Sequence, residues 1–166
     1  MSEIGAPLDF TICVDRSFKP TYPEWVKGLM HPELELKGPD EYDLRADVER
    51  YLHDEQHQDP FTPSASKIYS YLKDTELLTS CLNLQDGLAI QQKGVATFRE
   101  LFGCWKKLYL YASVVMDVKD HLHVPFIFGD KIIVIRWLYM ESSNLHTDHQ
   151  ALRFRPPVKA GRQVAL

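Results

Sequence analysis

The apolar period of this chain changes between residues 102 and 107, and that switch limits the folds open to it. Over residues 84–102, Leu84, Leu88, Ile90, Val95, Phe98, Leu101 and Phe102 gather on one broad face at about 100° per residue. Gln85, Gln92, Lys93, Ala96, Arg99 and Glu100 fall on the other. This is an amphipathic helix, and Gly103 stands where a C-terminal cap glycine belongs. From residue 107 the period is 2: residues 107–118, 121–128 and 131–140 read as three strands rich in β-branched and aromatic side chains. A one-sided helix followed by half-apolar strands predicts an α+β fold. The expected sheet is antiparallel, made of the three C-terminal strands and an N-terminal strand at residues 8–15, with helices over one face.

The N-terminal strand is read from strict alternation, with Phe10, Ile12 and Val14 on one side and Asp9, Thr11, Cys13 and Asp15 on the other. Thr21 and Glu24 match a capping box, which predicts a short helix burying Trp25, Val26 and Leu29. Asp43 is a good N-cap for a helix over residues 44–56, with Leu44, Val48, Tyr51 and Leu52 on one face. Ser64 or Ser66 caps a third helix carrying Ile68 and Leu72, and Leu78, Cys81 and Leu82 fit one further turn. Residues 1–150 make a single domain on this reading, and residues 151–166 a basic extended tail.

Gly87 and Gly94 lie within the apolar face of the long helix. Mid-helix glycine costs on the order of 1 kcal/mol against alanine, so close packing against another backbone is the expected compensation. Gly129-Asp130 reads as a two-residue hairpin turn, pairing Phe128 with Lys131, Phe126 with Ile133, Val124 with Ile135 and Leu122 with Trp137. The reverse face then carries His121, His123, Pro125 and Ile127 beside Ile132, Val134, Arg136 and Leu138. Proline is rare in a middle strand, so Pro125 predicts a bulge or another strand order.

The 166 residues carry 19 basic and 23 acidic side chains, a net charge of −4 that argues against a nucleic-acid coat. Acids dominate residues 33–59, opposed only by Lys37, Arg45 and Arg50, whereas Arg153, Arg155, Lys159 and Arg162 follow without any acid. Cys13, Cys81 and Cys104 form no C-x-x-C pair, which argues against a disulfide framework or thiolate zinc. The N-terminus lacks the basic and apolar regions of a signal peptide, and the apolar runs are too short for a membrane span. The expected compartment is the cytoplasm.

Four patterns bear on chemistry. His53 and His57 have the i, i+4 spacing of helical zinc ligands, but on the predicted helix they face away from its apolar side. His121 and His123 share a strand face, and His149 follows in the next loop, so the three could hold a divalent metal. Asp117, Lys119 and Asp120 crowd a turn in a weak echo of metal-dependent nuclease cores. Cys104 follows a helix C-terminus, the wrong end of the dipole for a thiolate. No phosphate-cradling glycine loop or nucleophile elbow occurs.

Two functional readings follow. The first is a non-enzymatic protein-interaction module, accessory or inhibitory, without a cofactor. It would associate as a homo-oligomer through Ile127, Ile132, Val134, Arg136 and Leu138, and reach a protein partner with Arg153, Phe154 and Arg155. Nucleic-acid contact by that tail ranks below protein contact. The alternative is a metal-dependent enzyme of hydrolase or nuclease type, with a divalent metal on His121, His123 and His149.

Overall fold

A computed structural model describes residues 7–53, 56, 63–104, 106–142, 145 and 147–156. Nine strands and three helices follow in chain order among these residues: β1 (Thr11–Cys13), β2 (Val26–Leu29), β3 (Glu41–Asp43), β4 (Val48–Tyr51), α1 (Ala65–Asp74), α2 (Leu84–Lys93), α3 (Val95–Phe102), β5 (Lys107–Tyr109), β6 (Val115–Asp117), β7 (Leu122–Gly129), β8 (Ile133–Tyr139) and β9 (His149–Phe154). Short 3-10 turns occupy Pro32–Leu34, Leu77–Ser80, Tyr111–Ser113 and Met140–Ser142. A seven-stranded sheet runs β2-β6-β7-β5-β9-β4, with β8 on the remaining side of β7; β1 and β3 form a separate two-stranded sheet. All its pairings are antiparallel except β5 with β9.

The expected sheet of three C-terminal strands plus the N-terminal one is therefore overturned. The stretch over residues 107–118 is two strands, β5 and β6, which share one side of β7 end to end. The N-terminal strand pairs with β3 instead, and β2, β4 and β9 are strands that the periodicity did not show. Residues read as the start of a tail are the last strand of the sheet: the boundary placed after residue 150 falls inside β9.

Both faces of the large sheet are covered, and strand alternation shows it. Tyr109, Phe126 and Ala151 belong to one buried cluster with Ile68, Tyr69 and Leu72 of α1. Their chain neighbours Leu108, Ile127 and Leu152 belong to the other, with Ile90 of α2, Phe98 and Phe102 of α3, and Ile12, Tyr42 and Val48. The second face is closed by α2 and α3 together with β1 and β3.

Pro125 explains the interruption between β5 and β6. Its carbonyl accepts from Leu110 N–H at 2.9 Å, so the polar atoms of this residue point toward that side rather than toward β8. In an antiparallel ladder the N–H and C=O of one residue face the same neighbour. The missing donor thus falls in the gap where the chain leaves β5 for the turn at Tyr111–Ser113.

Three helical expectations change. The Thr21/Glu24 pattern is followed by β2, not a helix. The helix over residues 44–56 is instead a tight turn into β4: Asp43 Oδ1 accepts from the N–H groups of Arg45 and Ala46, both at 2.8 Å. An Asx turn begins as an N-cap does, and here the chain continues as a strand. The long helix is two, broken at Gly94, whose φ of 111° is open mainly to glycine. Gly87 does pack closely, though against side chains: an added Cβ would lie 2.5 Å from Leu110 Cδ1. Ser64 caps α1, accepting from Lys67 N–H. No helix among the described residues is long and apolar enough to cross a membrane.

Candidate functional site

His121 and His123 emerge at one end of β7, and the structure joins them to a carboxylate. His123 Nε2–H donates to Asp117 Oδ2 at 2.8 Å, and His121 Nδ1 lies 3.7 Å from the same oxygen. Asp117 Oδ1 accepts from Lys119 N–H and His121 N–H, closing the β6–β7 turn, in which Asp120 takes a left-handed φ of 65°. The His123 hydrogen bond first, then these amides, hold the Asp117 carboxyl down at about 2. Trp25 lies over His123 with ring centres 4.6 Å apart and meets Trp137 edge-on at 5.5 Å. Tyr139 flanks both histidines, and the group borders a shallow pocket of about 570 Å³.

A carboxyl whose folded value is depressed stabilises the fold above its ordinary value and loses that contribution as pH falls through the folded one. Wild type is therefore expected to melt above Asp117→Asn at pH 6, and the gap to close between pH 3.8 and about 2. Melting curves across that range check it; a gap that persists at pH 2 would mean that Asp117 acts by shape and not by charge.

His149 is not with the other two. It pairs with Lys107, which pairs with Phe128, five positions along β7 from His123. At about 3.3 Å per residue that is roughly 16 Å along the strands, besides two strands across. Its ring lies instead near Tyr109, and its carbonyl accepts from Gln56. Among the described residues, no group of three or more His, Cys, Asp and Glu is placed to hold a metal. His53 is buried beside Tyr71, and His57 lies outside the described residues.

The interface set divides, because the hairpin register differs. Gly129 pairs with Ile133, leaving Asp130, Lys131 and Ile132 as a three-residue loop, and Phe126 faces Arg136 instead of Ile133. That is a slip of three residues, and any odd slip exchanges the faces of a strand. Val134, Arg136 and Leu138 thus lie with Val124, Phe126 and Phe128. Ile127 is fully buried on the opposite face, and Ile132 is exposed in the loop.

Among the described residues no strand pairs with the outer edge of β8. Since the polar atoms of Pro125 point away from β8, Pro125–Trp137 is a non-hydrogen-bonded pair. The N–H and C=O groups of Ile133, Ile135 and Trp137 then point outward. Gln91 Nε2 donating to the Ile133 carbonyl at 2.9 Å agrees with this. Beside this edge a groove of about 400 Å³ is lined by Phe126, Phe128, Ile132 and Val134, with Lys107, Lys131 and Arg136 at its rim.

Arg153, Phe154 and Arg155 border a larger cleft of about 920 Å³, between the 3-10 turn at Leu77–Ser80 and the end of β9. Glu49 answers both arginines, at 3.0 and 3.5 Å, and Phe154 stacks edge-on with Tyr42 at 4.9 Å. Cys81 lies in the wall of this cleft, but burial pushes its thiol up to about 12, so it is no nucleophile at neutral pH.

Sequence reading gave no site role to Trp25, Trp137, Tyr139, Lys107 or Lys131. The one available signal was the run Ile132–Ile135, whose continuation to Tyr139 holds a single charge, Arg136. No protein-family model, curated protein or solved structure matches this chain.

Proposed function

We propose that this protein is a non-enzymatic interaction module that docks an extended segment of a protein partner along β8. The observation supporting the reading is the edge itself: the outer side of β8, Ile133–Tyr139, with which no strand pairs among the described residues. Natural sheets guard such an edge with charges, prolines, bulges or a short strand. This one has a single arginine and an outward row of amides and carbonyls, the geometry used in strand addition. The Asp117–His123 pair reads as a positioning pair that fixes one end of the strand, because both of its partners are committed to each other.

The test is selection of random displayed heptapeptides on the wild type, counter-selected on Ile135→Pro. That substitution removes an outward N–H and leaves the β7 ladder intact, as proline on an edge strand can. The expected result is an enriched set that binds wild type and loses at least tenfold on the variant, whose melting temperature and circular dichroism stay near wild type. A set that binds both equally, or no enrichment, would overturn the reading.

A further inference from the structure

Resting on that reading of β8, we infer that the segment it takes alternates acidic with apolar residues, and that it is not a second copy of this chain. The charge around the edge carries the inference. Lys107, Lys131 and Arg136 rim one groove with Asp130 as its only acid, and none of the three makes an ion pair among the described residues. Lys107 Nζ rests instead 5.5 Å from the centre of the Phe126 ring. Elsewhere Arg16, Lys19, Lys27, Lys93, Lys106, Arg153 and Arg155 all have carboxylate partners. The positive charge of this groove therefore stands without a carboxylate partner, among the described residues, beside the open side of β8.

The two faces of β8 set the alternation. Val134, Arg136 and Leu138 share the face of the cationic groove, and Ile133, Ile135 and Trp137 share the other. A strand laid beside β8 has side chains on both faces in turn. One set meets Arg136, Lys107 and Lys131 and is best acidic; the other meets Ile135 and Trp137 and is best apolar. Cross-strand neighbours of opposite charge are favourable, and like charges directly opposite are not.

That last rule argues against self-pairing. The antiparallel two-fold register that uses all seven residues centres on Arg136 and sets it directly opposite its own copy.

Two fluorescent seven-residue peptides test this, one alternating Glu with Val and one alternating Lys with Val, titrated against wild type, Ile135→Pro and the triple variant Lys107→Glu/Lys131→Glu/Arg136→Glu. The expected result is at least tenfold tighter binding of the Glu peptide to wild type, weakened on raising salt from 0.1 to about 1 M, where screening shrinks to roughly 3 Å. Both variants should lose it, and the triple variant should now prefer the Lys peptide. If both peptides bind wild type equally and both lose on Ile135→Pro, the edge docks strands but the acidic assignment fails. If the Glu peptide binds Ile135→Pro as it binds wild type, charge alone holds it and the edge reading fails. Displacement of the Glu peptide by a thymidine 12-mer at equal concentration would overturn the proposal in favour of nucleic acid. A wild-type dimer by light scattering that Ile135→Pro dissolves would overturn it in favour of self-pairing.

Discussion

Asp86→Ala is expected to lower stability by about 3–5 kcal/mol, because it leaves a buried guanidinium without its counter-charge. Arg16 Nη2 donates to Asp86 Oδ1 at 2.8 Å, and the two side chains are 8% and 0% exposed. Tyr42 OH donates to the same oxygen at 2.9 Å. Asp86 Oδ2 accepts from Asn83 N–H, and Asn83 Oδ1 accepts from Asp86 N–H, a reciprocal cap on α2. Asn83 Nδ2 in turn donates to the carbonyls of Leu34, Glu35 and Lys37, fixing the loop before β3. Burial pushes the Asp86 carboxyl upward, and Arg16, Asn83 and Tyr42 pull it back. Alanine removes the bonds from Arg16, Tyr42 and Asn83 N–H at once, and leaves those made by the Asn83 side chain. Urea unfolding measures the loss. The double variant Arg16→Met/Asp86→Leu should recover much of it, since an apolar pair of similar volume leaves no orphaned charge. A double variant no better than Asp86→Ala would place the cost in the helix cap and not in the ion pair.

Phe98→Ala is expected to cost a further class of energy, about 3–5 kcal/mol from lost burial and the cavity left behind. Phe98 is 1% exposed, lies against Phe102 with ring centres 5.1 Å apart, and supports the β7–β8 hairpin from below. A Cβ at Gly129 would lie 2.6 Å from its ring. Gly129→Ala should therefore destabilise wild type by about 1–3 kcal/mol yet cost little, or help, in the Phe98→Ala background. Denaturant midpoints of the four proteins give the coupling. Additive losses would show that the ring and the glycine do not share the contact.

The places of α1, of the α2–α3 stretch and of β7 and β8 were legible because their periods run long, whereas the break at Gly94 and the division of residues 107–118 into β5 and β6 were not. The positions of α1, α2 and α3, Ser64 as a cap and Gly103 as a terminator all follow from residues whose local preference agrees with their place in the fold. Asp43 was misread because one carboxylate starts an Asx turn and a helix by the same two hydrogen bonds. The capping pattern at Thr21 and Glu24 was a coincidence of residue types, whereas the working box, Asn83 and Asp86, stood just before the best helix in the chain. The hairpin failed by its loop: Gly129 belongs to the strand because Phe98 needs the space above it, a long-range fact that no local pattern carries. At the candidate site, His121 and His123 were legible as neighbours from their i, i+2 spacing. Their partner Asp117 required the β6–β7 register, and the bare edge of β8 required knowing which strands lie elsewhere.

The place of β9 between β5 and β4 has a consequence for how the chain is made. β9 lies between β5 and β4, so β4 has no neighbour in the large sheet until residues roughly a hundred positions later have been synthesised. A nascent chain emerging at about 5–20 residues per second exposes β4 for several seconds before its partner exists. The acids of that stretch, Glu41, Asp43, Asp47 and Glu49, then keep an unpaired strand from seeking one in another chain, and Glu49 is released from that duty when Arg153 and Arg155 arrive.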